Sequence, residues 1–216
     1  MLSKACGNHS FFTDVVKKFH RQSTRLHPKL PLIPFFKYGV ATNRLPATYD
    51  AYFMAIEGSA RRNIKKAMRN GYQFQRIDFN RHLADAGEIH RSTPVRQGPM
   101  GAEYLTKDPD PVTDPPSSRS IHDYVYYGVL KDGKLVAYGA TLVAGEALFI
   151  TTIFGHDGYK SDAVVPLLIA GIAKEAYETY PNVKYYIYDK FFGASPTLRR
   201  FKKKFGFEPC TVTLTL

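Results

Sequence analysis

Between Ser59 and Asn70 the chain carries Arg61, Lys65 and Arg69 at a repeat of four residues, with Arg62 and Lys66 beside them and no acidic residue among them. On a helix that spacing places three cations on one face. Like charges at i,i+4 repel one another by about a few tenths of a kcal/mol per pair. A surface kept only for solubility would normally intersperse acids, so the pattern suits binding of a phosphate-bearing partner, with a solvated face as the plainer reading.

Two further groups could take part in chemistry. His90-Arg91-Ser92-Thr93-Pro94-Val95-Arg96-Gln97-Gly98 is dense in polar side chains. There His90 is a candidate substrate contact, and the fork of Arg96 could hold an acidic or phosphorylated acceptor through two hydrogen bonds. His156, isolated in a glycine-containing stretch, is a candidate general base. Other chemistries find no support. No G-x-S-x-G occurs and neither cysteine sits in a nucleophile motif. His82 and His90 lack the spacing and carboxylate of a metalloprotease helix, so no metal is expected.

The net charge of +11 over 216 residues favours nucleic acid, an anionic surface or a polyanionic ligand such as coenzyme A. Apolar content of 44% and aromatic content of 14% suffice for a core. No run approaches the ~20 apolar residues of a membrane helix, and Met1 to Phe19 does not read as a secretory signal. Cys6 and Cys210 make neither a disulfide framework nor a zinc site, so a cytoplasmic location without a membrane partner is expected.

The elements that must position these groups follow from periodicity. Phe11, Phe12, Val15, Val16 and Phe19 have helical spacing, three prolines then force extended chain, and Phe35 to Ala41 reads as a first strand. Phe53, Ile56, Ala60, Ile64 and Met68 form one helical stripe, expected to break at Gly58-Ser59 with Ser59 as a cap. Tyr72 to Asp78 alternates as a strand, His82 to Thr93 is a weaker helix, and the proline-rich residues 94–120 read as a long binding loop. A three-strand meander follows, Tyr124 to Leu130, Leu135 to Val143 and Ala147 to Ile153, its first turn built on Asp132-Gly133. Ala163 to Tyr180 is a buried helix and Val183 to Asp189 a strand. Ser195-Pro196 opens a basic helix that Gly206 closes, and Cys210 to Leu216 is a last strand. The order predicts a mixed α+β fold: residues 1–48 as an extension with the first strand, residues 49–216 as one domain, and one parallel crossover pair after the meander.

Four stretches, spread over residues 49–216, carry a resemblance. They are Ser59-Ala60-Arg61-Arg62-Asn63-Ile64-Lys65-Lys66-Ala67-Met68-Arg69-Asn70-Gly71, the hairpin Asp132 to Gly139, the helix around Pro166-Leu167-Leu168, and Leu198 to Pro209 with its Phe-Lys-Lys-Lys-Phe-Gly-Phe-Glu-Pro ending. Their order and spacing resemble the GNAT-type acyltransferases, nearer the Fem-like aminoacyltransferase branch than ordinary acetyltransferases.

The resemblance implies N-acyl transfer to an amine, with Tyr188 and Asp189 as acid–base residues. It implies backbone donors near Thr152 and Ile153 for the carbonyl oxygen that becomes negative. Coenzyme-A-using relatives carry Q/R-x-x-G-x-G/A after the third meander strand; here the loop is Phe154 to Asp162. Gly155 and Gly158 would let backbone N–H groups approach a phosphate, with Lys160 and Ser161 assisting. The arginine and one glycine are absent, and Asp157 and Asp162 would repel a pyrophosphate. The donor thus stays open between an acyl-CoA such as acetyl-CoA and aminoacyl-tRNA. A nucleic-acid surface is expected at Arg61, Arg62, Lys65, Lys66, Arg69, Arg199, Lys202 and Lys203, with tRNA as donor or DNA or RNA as acceptor of the acyl group at a base amine. Acetyl-CoA-dependent acetylation of a small amine or a protein, and a non-catalytic nucleic-acid-binding module, are the alternatives.

Overall fold

The computed structural model describes residues 10–27, 30–96, 98–113 and 122–213. Helix α1 (Ser10–Thr24) leads into a small hairpin of β1 (Leu26–His27) and β2 (Leu30–Pro34). Then come β3 (Val40–Arg44), α2 (Tyr49–Ala55), α3 (Gly58–Arg69), β4 (Gln73–Arg76), α4 (Leu83–Arg91) and α5 (Ala102–Thr106). The meander is β5 (His122–Lys131), β6 (Lys134–Ala144) and β7 (Ala147–Gly155), followed by α6 (Val164–Thr179), β8 (Tyr185–Lys190), α7 (Pro196–Lys204) and β9 (Glu208–Cys210). Short 3-10 turns span Phe79–His82 and Asp157–Asp162.

The main sheet has seven strands in the order β4-β5-β6-β7-β8-β3-β9. Only β7 and β8 run parallel, and α6 is their crossover. Apolar residues surround α6 on most sides, as expected of a helix buried between layers. With α2 and α3 it covers one sheet face, where Ile64, Leu168, Ile172 and Tyr186 are buried in the principal core. On the opposite face Phe19 of α1 packs on Phe36 and Phe149, and Ile89 of α4 joins the cluster of Phe79, Leu135 and Tyr138.

Local chemistry sets several boundaries. Asp132 and Gly133 both have positive φ, 50° and 82°, which a two-residue type I′ hairpin turn requires. Ser195 Oγ accepts from Leu198 N at 3.2 Å, and Pro196 takes the first turn of α7. Three boundaries differ from the sequence reading. The strand expected at Phe35–Ala41 is Val40–Arg44, because β3 pairs with β8 on one side and β9 on the other while Phe36 turns into the core. The helix break falls at Ile56-Glu57, and Glu57, not Ser59, is the N-cap residue of α3; the Ser59 hydroxyl donates to its carboxylate. The last strand is confined to Glu208–Cys210, and residues 214–216 of the expected strand lie outside the described residues.

Candidate active site

Strands β7 and β8 are in register only from Ala147 opposite Tyr185 to Phe149 opposite Ile187. Beyond that point they part. Strand β7 stays with β6 and shifts register between Ala140–Thr152 and Thr141–Ile150, leaving Thr151 as the extra residue. Strand β8 turns toward β3 and bulges as well: Val40 pairs with Lys190 and Thr42 with Ile187, so Tyr188 and Asp189 together oppose Ala41. Asp189 has φ 50°, a left-handed conformation that Asp and Asn tolerate better than most side chains. Bulges on both strands re-aim side chains and end pairing. From Ile150 to Phe154 no described strand pairs with the edge of β7 that faces β8.

The gap is a cleft of about 420 Å³. Thr152, Ile153, Tyr188 and Asp189 line it from the strands, and Arg96, Met100 and Tyr104 close it from the loop. Tyr188 is buried, and burial together with the Asp189 carboxylate pushes its phenol well above the ordinary tyrosine range, so the hydroxyl keeps its proton. Lys202 of α7 reaches beneath the bulge. Its ammonium donates to the carbonyls of Tyr188 at 2.7 Å and Lys190 at 2.6 Å and lies 4.4 Å from the centre of the Tyr188 ring. Burial lowers its pKa to about 8.

A second cavity, about 440 Å³, lies where the other candidate loop residues gather; Gly155, His156, Lys160, Arg96 and the start of α6 line it. His156 does not line the Tyr188 cleft. Its Nδ1 instead accepts from Gly158 N at 3.1 Å and caps the 3-10 turn, away from the cleft that Tyr188 and Asp189 line. The glycines also have other work. A Cβ on Gly155 would lie 2.5 Å from Val165 Cγ2, so its smallness serves close packing of strand against helix. The amides of Asp157, Gly158 and Tyr159 are occupied by Ser92 Oγ, His156 Nδ1 and His156 O, and that of Ala163 by Lys160 O. Lys160 and Ser161 are exposed. Four amides of this loop are thus taken, and Asp157 and Asp162 set negative charge beside them.

Two substrate contacts expected from sequence have structural duties. His90 is 2% exposed, its Nε2 pairs with Tyr138 OH at 2.6 Å, and burial with Arg96 nearby lowers its pKa to about 4. It is a neutral core histidine that lines neither cavity. Arg96 does line both, but its fork is used internally: Nη1 donates to Gly155 O at 2.8 Å and Nη2 to Ile89 O at 2.6 Å. It staples the loop to the ends of β7 and α4, so bidentate capture of an acceptor would have to displace both bonds.

Of the expected basic surface, Arg62, Lys65, Lys66, Arg69 and Lys203 are exposed and Arg199 is half-buried. Arg61 is turned back on α2, donating to Met54 O at 2.7 Å. Lys202 is 1% exposed and does not belong to that surface. Helices α3 and α7 abut, since Glu57 N donates to Lys204 O at 2.8 Å and the Glu57 carboxylate pairs with Arg200 at 2.7 Å. Among the described residues no cluster of His, Cys, Asp and Glu is placed to hold a metal ion, and no helix is long and apolar enough to cross a membrane.

Solved structures share this architecture. The crystal structure of FemX superposes with a TM-score of 0.55 at 10% identity, covering 80% of this chain and 59% of that one. The chain has the GNAT-type fold. A conserved protein of unknown function from Bacteroides thetaiotaomicron superposes with a TM-score of 0.53 at 13% identity over 82% of this chain and 60% of its own. L-PGS from Bacillus licheniformis matches with a TM-score of 0.44 at 13% identity over 81% and 59%. The chain therefore spans about 60% of the length of these structures. No family model and no curated protein matches the sequence.

Proposed function

We propose that the chain is an aminoacyltransferase that moves an aminoacyl group from a charged tRNA to an amine. The observation that carries this reading is the cleft at the divergence of β7 and β8, which brings an unpaired strand edge, a protonated tyrosine and a carboxylate to one place. The amine nitrogen attacks the ester carbonyl; its bond to carbon forms as the bond to the ribose oxygen breaks. N–H groups on the open edge near Thr152 and Ile153 stabilise the developing oxyanion. Asp189 receives the proton of the incoming ammonium and passes it to solvent. The proton released on attack replaces the one that Tyr188 donates to the departing ribose oxygen.

Two observations favour charged tRNA over acyl-CoA as donor. The loop after β7 has four of its amides occupied and two carboxylates beside them. The exposed cations of α3, next to the basic α7, suit a polyphosphate backbone.

Thermal unfolding with each donor tests the assignment. A donor at a hundred times its dissociation constant should add about 2.7 kcal/mol. Charged tRNA should stabilise the protein, and K65E/R69E should weaken tRNA binding and lower its salt dependence. Stabilisation by acetyl-CoA and not by charged tRNA would overturn the choice of donor.

A further inference from the structure

The face of the sheet beneath α1 holds a larger cavity, about 610 Å³, which the acyl-transfer chemistry above does not use. Val15 and Phe19 from α1, Phe36, and Leu142 and Phe149 from the sheet make its walls mainly apolar, with Lys18, Gln22, Thr113 and Thr151 adding polar groups. Phe19 and Phe149 stand with ring centres 4.9 Å apart and fix α1 over the strands. This volume falls in the range of sites for small organic ligands, which pair apolar walls with a few polar groups that set orientation.

The cavity adjoins the Tyr188 cleft. Ile150, Thr151 and Asp189 line both it and the Tyr188 cleft. Asp189 is the single carboxylate among the described residues lining either space. Among the described residues the one cation lining the reaction cleft, Arg96, is tied to Gly155 and Ile89, and Lys18, which lines the cavity from α1, is exposed. A molecule in the cavity thus meets mainly apolar side chains and, where the two spaces adjoin, one negative charge, where nitrogen would face the reacting carbonyl.

From this juxtaposition we infer that the acyl acceptor is an apolar primary amine, its hydrocarbon body held under α1 and its ammonium anchored by Asp189. The inference rests on the aminoacyltransferase reading for the word acceptor, but the binding itself does not. A polar amine would gain nothing from the apolar side chains of Val15 and Phe19. An apolar alcohol or acid would lose the ion pair or meet repulsion from Asp189.

Titration calorimetry with n-octylamine, 1-octanol and ethanolamine separates the two halves of the site. Octylamine should bind about tenfold or more tightly than 1-octanol, a ratio typical of one charge-assisted hydrogen bond, and ethanolamine should show no binding. D189N, which retains a side chain suited to positive φ, should abolish the preference for octylamine while leaving octanol binding unchanged. F19A should weaken both long ligands. Equal binding of octylamine and octanol, or an octylamine affinity that D189N leaves intact, overturns the inference. Mass spectrometry of octylamine incubated with enzyme and charged tRNA then reads transfer separately: bound but unmodified octylamine keeps the pocket and removes the aminoacyltransferase reading.

Discussion

The ammonium of Lys202 lies 2.7 Å from the carbonyl oxygen of Tyr188, and with its second bond to Lys190 it spans the bulge that carries Asp189. A buried cation on a basic helix thereby holds the shape of the strand that borders the cleft.

Replacing this lysine by methionine, K202M, keeps the apolar stem and leaves two buried carbonyls without a donor. A loss of about 2 kcal/mol is expected in urea unfolding, within the range for unsatisfied buried groups. The deficit should depend on pH. With a folded pKa near 8 against the usual 10.5, the unfolded chain binds more protons between those values, so the native protein gains stability as pH rises through that window. K202M lacks this gain, and the gap between the two proteins should widen from pH 8 to 10.5. A constant gap would show that the lysine is not buried as a cation.

G155A should be destabilised by about 1–3 kcal/mol through overpacking against Val165. The companion V165A removes the methyl that the new Cβ meets, 2.5 Å away, so the double variant should recover most of the loss. Additive losses would refute the close contact.

R96M cuts the staple between the loop, β7 and α4. Amide exchange across residues 93–100 should accelerate while α6 keeps its protection, and global stability should fall by about 1–3 kcal/mol. Unchanged exchange would mean that other contacts hold the loop.

Y188F tests the acid. The fold should survive, with stability within about 1 kcal/mol of the parent, because only a hydroxyl is removed. Turnover of aminoacyl donor should drop by about a hundredfold, the lower range for a lost general acid. Full activity would leave Tyr188 a packing residue.

Much of the architecture was legible because its signals are local. The Ser195-Pro196 start of α7, the Asp132-Gly133 turn and the apolar run of α6 each fix an element within a few residues. Long-range pairing was not. Nothing in residues 35–48 says that β3 inserts between β8 and β9, and this choice of partners moved the strand to Val40–Arg44. Lys202 was the readable miss. Leu198, Phe201, Lys202 and Phe205 follow the spacing of a buried face, so its position on the helix counted for more than its charge. Arg96 and His90 carried no such mark, for their partners lie on separate elements.

The position of β3 also bears on how the molecule comes to be made. It is synthesised well before both strands that flank it, with four strands of the sheet between it and β8 in the chain. That half of the sheet cannot zip up until β8 and β9 have been made, the kind of distant closure that slows folding. A fragment lacking residues 40–44 would strand β9 with no neighbour at all.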